Sequence, residues 1–389
     1  VKVLINAVSA KLGGAATYVR NLAASLAEIA PGDEFVFIVP PERAAEMSAA
    51  ASRVRVQASA AAGGSYARRW WWEQVTLRRL VARERPDVLF SSANFALLNS
   101  PCPQVLLVRI PIYFDPRYLE HVLPSKGPLF RAETALRRWL VCRSVAAADC
   151  LMTPTAAMRD DLARFARLGS VRTVVNPYGV PRRRIASRAG QDEKSAGGSL
   201  RLLWVSHYAE HKNLGTLLRA VLRLREILQQ RSQPPCEVEL RLTLSPDTRN
   251  GQHTPLPAAE RELLAQLGAS VKFLGVQTYE RVWELYRAAD VFVFPSLCES
   301  FGHPLVEAMA AGLPIVASDI PVHREICGDA AEFFPVHDHA ALAEKLAQLA
   351  QEAGARNALT ERGRRRVESF VWEDHVARLL ALWREMAAR

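Results

Sequence analysis

Two doubly wound parallel α/β domains in series are what this sequence predicts, on three observations. Short apolar runs alternate with stretches of helical periodicity, and the alternation happens twice. A polar stretch rich in Arg, Ser, Gly and Ala separates the two series between Asn176 and Ser199. The 389 residues are too many for one ordinary core and suit two domains of about 180–200 each. The expected division is 1–178, a linker over 179–199, and 200–372.

In the first series, strands are expected over Val3 to Val8, Glu34 to Val39, near Val54, and over Asp87 to Ser91, Val105 to Val108, Cys150 to Thr153 and Val171 to Val175. Runs of this length and composition suit strands buried on both faces. Helices are expected over Ala15 to Ile29, Trp70 to Arg83, Leu129 to Ala147 and Thr155 to Phe165. The first strand runs into Ser9-Ala-Lys-Leu-Gly13-Gly14, where glycines let backbone approach a ligand at the sheet edge that binds in such folds. A plain strand-to-helix turn accounts for the pair equally well. The aromatic, Pro-containing loop from Pro111 to Pro124 is placed where acceptor specificity can reside. In Arg68-Arg-Trp-Trp-Trp-Glu-Gln74, helical spacing sets Trp71 and Val75 on one face with Arg78 or Arg79. One or two tryptophans packed in the core is the favoured reading, with a surface anchor as its alternative.

The second series has strands expected over Leu200 to Ser206, Val238 to Leu244, Val271 to Leu274, Val291 to Phe294 and Leu313 to Ala317. Helices are expected over Leu214 to Leu228, Ala258 to Leu267, Arg281 to Ala288 and Leu305 to Ala311, with mostly helical sequence from His339 onward.

The stretch Phe292 to Asp319 is a ligand site written as strand, loop, helix and strand. Pro295 and Ser296 end the strand, Pro304 suits a first helical position, and Gly312 is the expected stop. A helix entered through Phe301-Gly302-His303 offers unpaired N–H groups and a partial positive charge, which is a seat for phosphate. Glu299 and Glu307 frame it, seven residues lying between them. Carboxylates repel a bare phosphate, so a ligand that also carries hydroxyls is indicated. At the end of the second series' first strand, Val205-Ser-His207-Tyr-Ala-Glu-His211-Lys212-Asn213 makes another such turn. Parallel sheets put these turns on one edge, which brings Lys212 and His207 toward the same helix start.

The totals bound the class. With 49% apolar and 23% charged residues the chain is globular, and no run approaches the roughly 20 apolar residues of a membrane span. It opens directly on a strand, with no basic-then-apolar export signal, so a cytoplasmic location is expected. Its six cysteines include no Cys-x-x-Cys pair, which argues against a zinc site and a disulfide framework. The net charge of +10 is uneven: residues 1–180 hold 23 Lys and Arg against 14 Asp and Glu, residues 181–389 hold 27 against 26. The first half therefore faces something acidic, the candidates being nucleic acid, an anionic membrane surface and a phosphate-bearing acceptor.

Taken together, the Glu299-x7-Glu307 pair, Phe301-Gly302-x-Pro304, the run Glu307 to Asp319, His323-Arg-Glu-Ile-Cys-Gly-Asp-Ala330 and Val371-Trp-Glu373 resemble one family. It is that of the retaining glycosyltransferases of the GT-B fold, family 4, also called glycosyl transferases group 1. The resemblance is dense over 200–375 and looser before. It implies two Rossmann-like domains facing a cleft and transfer of a sugar from a nucleotide diphosphate donor to a cell-surface glycan or lipid-linked acceptor. By position, it gives Glu307 the ribose hydroxyls and Glu299 the donor sugar. Lys212 with the Leu305 and Val306 N–H groups receives the diphosphate, and Phe301, Gly302 and His303 form the turn beneath it. Gly13 and Gly14 close over the donor from the first domain, Val276 and Tyr279 hold the base, and residues 373–389 pack on the first domain.

Lys212 and preorganised backbone dipoles then stabilise charge growing on the leaving diphosphate. No Asp-x-Asp occurs, so neither an obligatory metal nor a cofactor is expected beyond the nucleotide sugar as co-substrate. Two positions depart from the pattern. His207 stands where many relatives have Arg, and Arg109 stands where many have His-Asp, which makes both candidate catalytic groups whose partners the donor's identity decides. The expected partners are a nucleotide sugar, a glycan or lipid-linked acceptor and an anionic membrane surface on the cytoplasmic side, without nucleic acid. The alternatives are a sugar-nucleotide epimerase or glucan synthase on the same fold, and a basic nucleic-acid-binding module.

Overall fold

A computed structural model describes residues 1–10, 13–50, 54–60, 66–169, 171–186, 199–231, 236–245 and 256–389. The chain forms two compact units. One holds Val1–Leu119, Leu123–Pro177 and Glu373–Arg389, the other Glu120–Val122 and Tyr178–Trp372.

The first unit is built on β1 (Lys2–Asn6), β2 (Glu34–Val39), β3 (Arg55–Ala58), β4 (Val88–Ser91), β5 (Gln104–Leu107), β6 (Cys150–Thr153) and β7 (Arg172–Val175). All pairs are parallel, in the order β3-β2-β1-β4-β5-β6-β7. Strands β4, β5 and β6 are buried along their whole length, which is why each is apolar but for one end residue, Ser91, Gln104 or Thr153. The strand order reverses between β1 and β4, the position at which sheets of this kind bind ligands. Helix Trp372–Ala387 contributes to this unit from the far end of the sequence. Trp383 sits fully buried between the rings of Phe35 (6.2 Å) and Phe90 (5.2 Å), and Arg384 pairs with Asp33 at 2.8 Å.

The expectation of one or two tryptophans packed against the core holds, but for Trp70 and Trp72 rather than Trp71. Trp71 is 60% exposed, while Trp70 packs edge-on against Phe95 at 5.5 Å and Trp72 lies against the β1–β2 core. The buried face runs instead through Trp70, Glu73, Leu77 and Leu80, at ordinary helical spacing, with a wide turn at Glu73–Leu77. Glu73 accepts from Asn6 at 3.2 Å and Arg69 at 3.1 Å, and burial pushes its carboxyl up. The loop after β5 does not display its aromatic residues. Tyr113, Phe114 and Tyr118 are buried, filling the core beside Phe95 and Val108 through short turns at Pro111–Tyr113 and Tyr118–Val122. Helix Pro41–Ala50 was not expected, because its Ala- and Glu-rich sequence carries almost no apolar stripe.

The second unit is built on β8 (Ser199–Trp204), β9 (Glu237–Leu242), β10 (Val271–Phe273), β11 (Val291–Phe294), β12 (Ile315–Ser318) and β13 (Ala331–Phe334). The order is β10-β9-β8-β11-β12-β13, again all parallel. Its reversal lies between β8 and β11, so the two turns singled out in the sequence leave adjacent strands. Helix Leu214–Arg231 buries Leu217, Leu218, Val221, Leu224 and Leu228 against the sheet. Strand β13 and helix Pro321–Cys327 complete the sheet beyond the expected elements.

The stretch read as a linker is only partly one. Val180 bridges to Val371, its N–H donating to Phe370 O at 3.0 Å, and Arg182–Ala186 forms a helical turn. Gly179 permits this approach: a Cβ there would lie 2.4 Å from Phe370 O. Residues 187–198 lie outside the described residues.

Candidate active site

The site of the second unit forms where the β8 and β11 turns meet. Residues Glu210–Lys212 make one 3₁₀ turn, after which Asn213 takes a left-handed conformation (φ 56°) and starts the next helix. Asn213 Nδ2 donates to Pro295 O at 3.1 Å and its Oδ1 accepts from Thr216 Oγ1 at 2.8 Å. The Leu297 N–H donates to His211 O at 2.9 Å. These bonds fasten the two turns together and fix where Lys212 and Glu299 point.

They point at one another. Lys212 Nζ donates to Glu299 Oε1 at 2.6 Å, both side chains nearly buried, with the ammonium 5.8 Å from the centre of the Phe294 ring. Burial raises the Glu299 carboxyl, but Lys212 beside it, with His211 and the hydrogen bond, outweighs this and holds it below its ordinary value. Burial, then the Lys212 charge, lowers His211 to about 3, which leaves that ring neutral at pH 7. His207 stands exposed at the same turn, its pKa lowered by desolvation and then by Lys212. The Lys212–Glu299 ion pair therefore dominates the charge at this corner.

Helix His303–Ala311 begins beside it. Gly302 takes φ 83°, and no side chain caps the helix start. The conformation suits glycine, since a Cβ would also press on Leu305 Cδ1 at 3.0 Å. The Leu305 N–H, expected to face a ligand, donates to Gly302 O at 2.9 Å, so only part of the donor set is open. Phe301 is buried, and the His303 ring stacks on Tyr178 at 4.9 Å with an interplanar angle of 8°.

One turn further on, Glu307 accepts from Tyr286 at 3.1 Å. Burial pushes Glu307 up to about 7, with the Tyr286 hydrogen bond and the Arg184 charge drawing it back in part. Arg184 was missed by sequence reasoning. Its guanidinium lies 5.8 Å over the Tyr279 ring and 5.0 Å over that of Trp283, linking the supposed linker to helix Tyr279–Arg287. Its signal was only an Arg triplet, which usually marks a solvated turn. Tyr286 was legible in principle, since Trp283 and Tyr286 share the buried face of helix Tyr279–Arg287. Val276 is 96% exposed on the loop after β10.

The remaining candidates belong to the first unit. Arg109 follows β5; its N–H donates to Asn94 Oδ1 at 2.8 Å and its guanidinium sits 5.5 Å over the Tyr18 ring. Gly13 and Gly14 open helix Gly13–Ile29, and a Cβ on Gly14 would meet nothing within 4 Å. Lys11 and Leu12 lie outside the described residues. Among the described residues no group of three His, Cys, Asp or Glu side chains is placed to hold a metal ion.

The comparisons with known proteins fit this arrangement. Residues 188–366 match the model of "Glycosyl transferases group 1", and residues 13–179 match that of the "Glycosyl transferase 4-like domain". A D-inositol 3-phosphate glycosyltransferase of Salinispora arenicola is 30% identical over 261 residues, which cover 63% of this chain and 56% of that protein. An O-antigen chain mannosyltransferase B of Escherichia coli is 36% identical over 104 residues, 27% of each chain. The matched stretches thus span about half or less of these curated relatives. Among solved structures, the Anabaena protein HepE in complex with UDP superposes with a TM-score of 0.67 at 15% identity, over 98% of both chains. That likeness speaks for the fold, two parallel sheets of 7 and 6 strands clad in helices. The paired acids, the turn that starts their helix and the family matches on both units lead to one conclusion: the chain belongs to the group 1 glycosyl transferases and has the GT-B fold.

Proposed function

We propose that the protein transfers a sugar, with retention of configuration and without a metal, from a nucleoside diphosphate donor to a glycan or lipid-linked acceptor. The observation that carries this is the Lys212–Glu299 pair beside the start of helix His303–Ala311, with Glu307 one turn along. An arriving diphosphate competes with Glu299 for Lys212. The carboxylate it displaces is then available to sugar hydroxyls, while Lys212 and the helix start stabilise charge on the leaving group more than in the ground state. Glu307 takes the ribose, Tyr279 and Val276 flank the base, and Arg184 sets the charge around both. In a same-face reaction the leaving phosphate oxygen takes the acceptor proton, so a side-chain base is optional. His207 and Arg109 are placed here as contacts to donor or acceptor oxygens, and Gly13 and Gly14 as backbone donors to the diphosphate.

The UDP in the HepE complex makes uridine the first base to try. The O-antigen and inositol-phosphate names among the relatives support a surface glycan or phosphate-bearing acceptor. With the basic excess of residues 1–180, they favour an acceptor presented at an anionic membrane surface on the cytoplasmic side. The test is product analysis with UDP-, GDP- and ADP-sugars, with and without acceptor and with and without a chelator. Glycosylated product of retained anomeric configuration, insensitive to chelator, is expected. Free epimerised sugar nucleotide in place of a glycoside would overturn the reading.

A further inference from the structure

Helix Pro128–Ala147 buries one face, with Thr134, Val141, Ser144 and Val145 on it. Opposite them, at helical spacing, stand Leu129 (83% exposed), Leu136 (55%) and Trp139 (57%). Phe165, from the neighbouring helix end, is 41% exposed and tied to this helix by Arg138, whose guanidinium lies 4.6 Å over its ring. Leu129, Leu136 and Trp139 are three of the eight large apolar side chains exposed among the described residues and share one helix face, which calls for a partner. Residues 126–143 also carry Lys126, Arg131, Arg137, Arg138 and Arg143 against Glu133 alone. Glu133 is committed to Arg137, and among the described residues Arg131 and Arg143 form no ion pair.

We propose that this face is the seat of the protein on an anionic lipid surface. Leu129, Leu136 and Trp139 would enter the boundary between headgroups and acyl chains, and Arg131, Arg143 and, on the flank beside Phe165, Arg138 would meet phosphates. A tryptophan ringed by arginines suits that boundary, where an apolar body and a polar edge are both satisfied. The helix lies on the membrane and does not cross it, since no described helix is long and apolar enough to span one. A second copy of the chain fits worse, because a two-fold interface would set Arg131 and Arg143 of one copy against those of the other. The proposal deepens the reading of a membrane-presented acceptor, but its test needs neither donor nor acceptor.

The full chain is co-sedimented with vesicles of phosphatidylcholine, alone or mixed with phosphatidylglycerol, at low and physiological salt. Binding to the mixed vesicles that salt weakens, with little on phosphatidylcholine, is expected. Arg131→Gln/Arg143→Gln should weaken it about 30-fold, at about fivefold per well-placed basic residue. Leu136→Ser/Trp139→Ser should weaken it by more than about tenfold. Trp71→Ser, which removes an exposed tryptophan elsewhere, should bind as the parent does. Each variant should keep the parent's melting temperature and its thermal shift with nucleoside diphosphates. Equal binding to both vesicle types, parent-like binding by the two double variants, or an equal loss in Trp71→Ser would overturn the proposal. So would a dimer in sedimentation equilibrium that Trp139→Ser dissociates. Absence of any nucleotide-induced shift would instead overturn the transferase reading and leave the vesicle result standing.

Discussion

At the scale of single residues, the site is governed by two carboxylates held in opposite states. Glu299 is kept ionised by Lys212, and removing that lysine strands a buried charge. Lys212→Ala should therefore cost about 3–5 kcal/mol in denaturant unfolding and abolish turnover. Lys212→Met/Glu299→Gln should recover most of the stability and none of the turnover, which separates a structural ion pair from a catalytic one. Glu307 behaves the other way. Its pKa in the folded protein, about 7, lies above the ordinary 4.5, so between these values the folded state holds a proton that the unfolded state has lost. Stability of the ligand-free protein should fall as pH rises through this window, and Glu307→Gln should flatten that part of the profile. On the proposed reading, in which ionised Glu307 takes the ribose hydroxyls, nucleotide affinity, read by calorimetric titration, should tighten from pH 6 to 8 in the parent only.

At the scale of elements, the helix starts carry the function. Gly302 holds φ 83° with Leu305 packed under it. Gly302→Ala should cost about 1–2 kcal/mol for the left-handed residue, and more if Leu305 must shift, while raising the KM for donor. Gly14 occupies ordinary helix with open space around it, so Gly14→Ala should melt no lower than the parent, alanine being the better helix former by about 1 kcal/mol. A loss of turnover in that stable variant would mark a close approach of ligand to backbone; full turnover would remove Gly14 from the site. The start of helix His303–Ala311 was legible because its parts are adjacent in sequence: Phe301, Gly302, Pro304 and the stop at Gly312. Helix Arg182–Ala186 was not, because five residues carry no periodicity and Arg184 packs over rings almost a hundred positions away.

At the scale of the whole molecule, two cores are built by separate stretches, yet the first is completed by the last helix of the chain. Trp383 fills the space between Phe35 and Phe90, and Trp383→Ala should cost about 3–5 kcal/mol. Scanning calorimetry should resolve two transitions, as separate cores allow. Trp383→Ala should lower one of them, and a nucleoside diphosphate should raise the other by mass action. A single transition moved by both would mean that the two units unfold as one.

The sequence by itself determined the alternation of strand and helix, the division into two units, the parallel sheets and the helix start at Gly302. Each of these is written in neighbouring residues, as apolar runs too short for helices and as glycine and proline at fixed offsets. Only the tertiary structure decided which groups meet. Trp70 and Glu73 took the buried face and left Trp71 exposed, and the Val180–Val371 bridge turned a linker into part of a core. Lys212 reached Glu299 across 87 positions because β8 and β11 are neighbours in the sheet. Periodicity reports the environment of a residue along its own element. The partner of a charge, and hence the state of Glu299 or Glu307, depends on which elements are packed side by side and on how much water that packing removes.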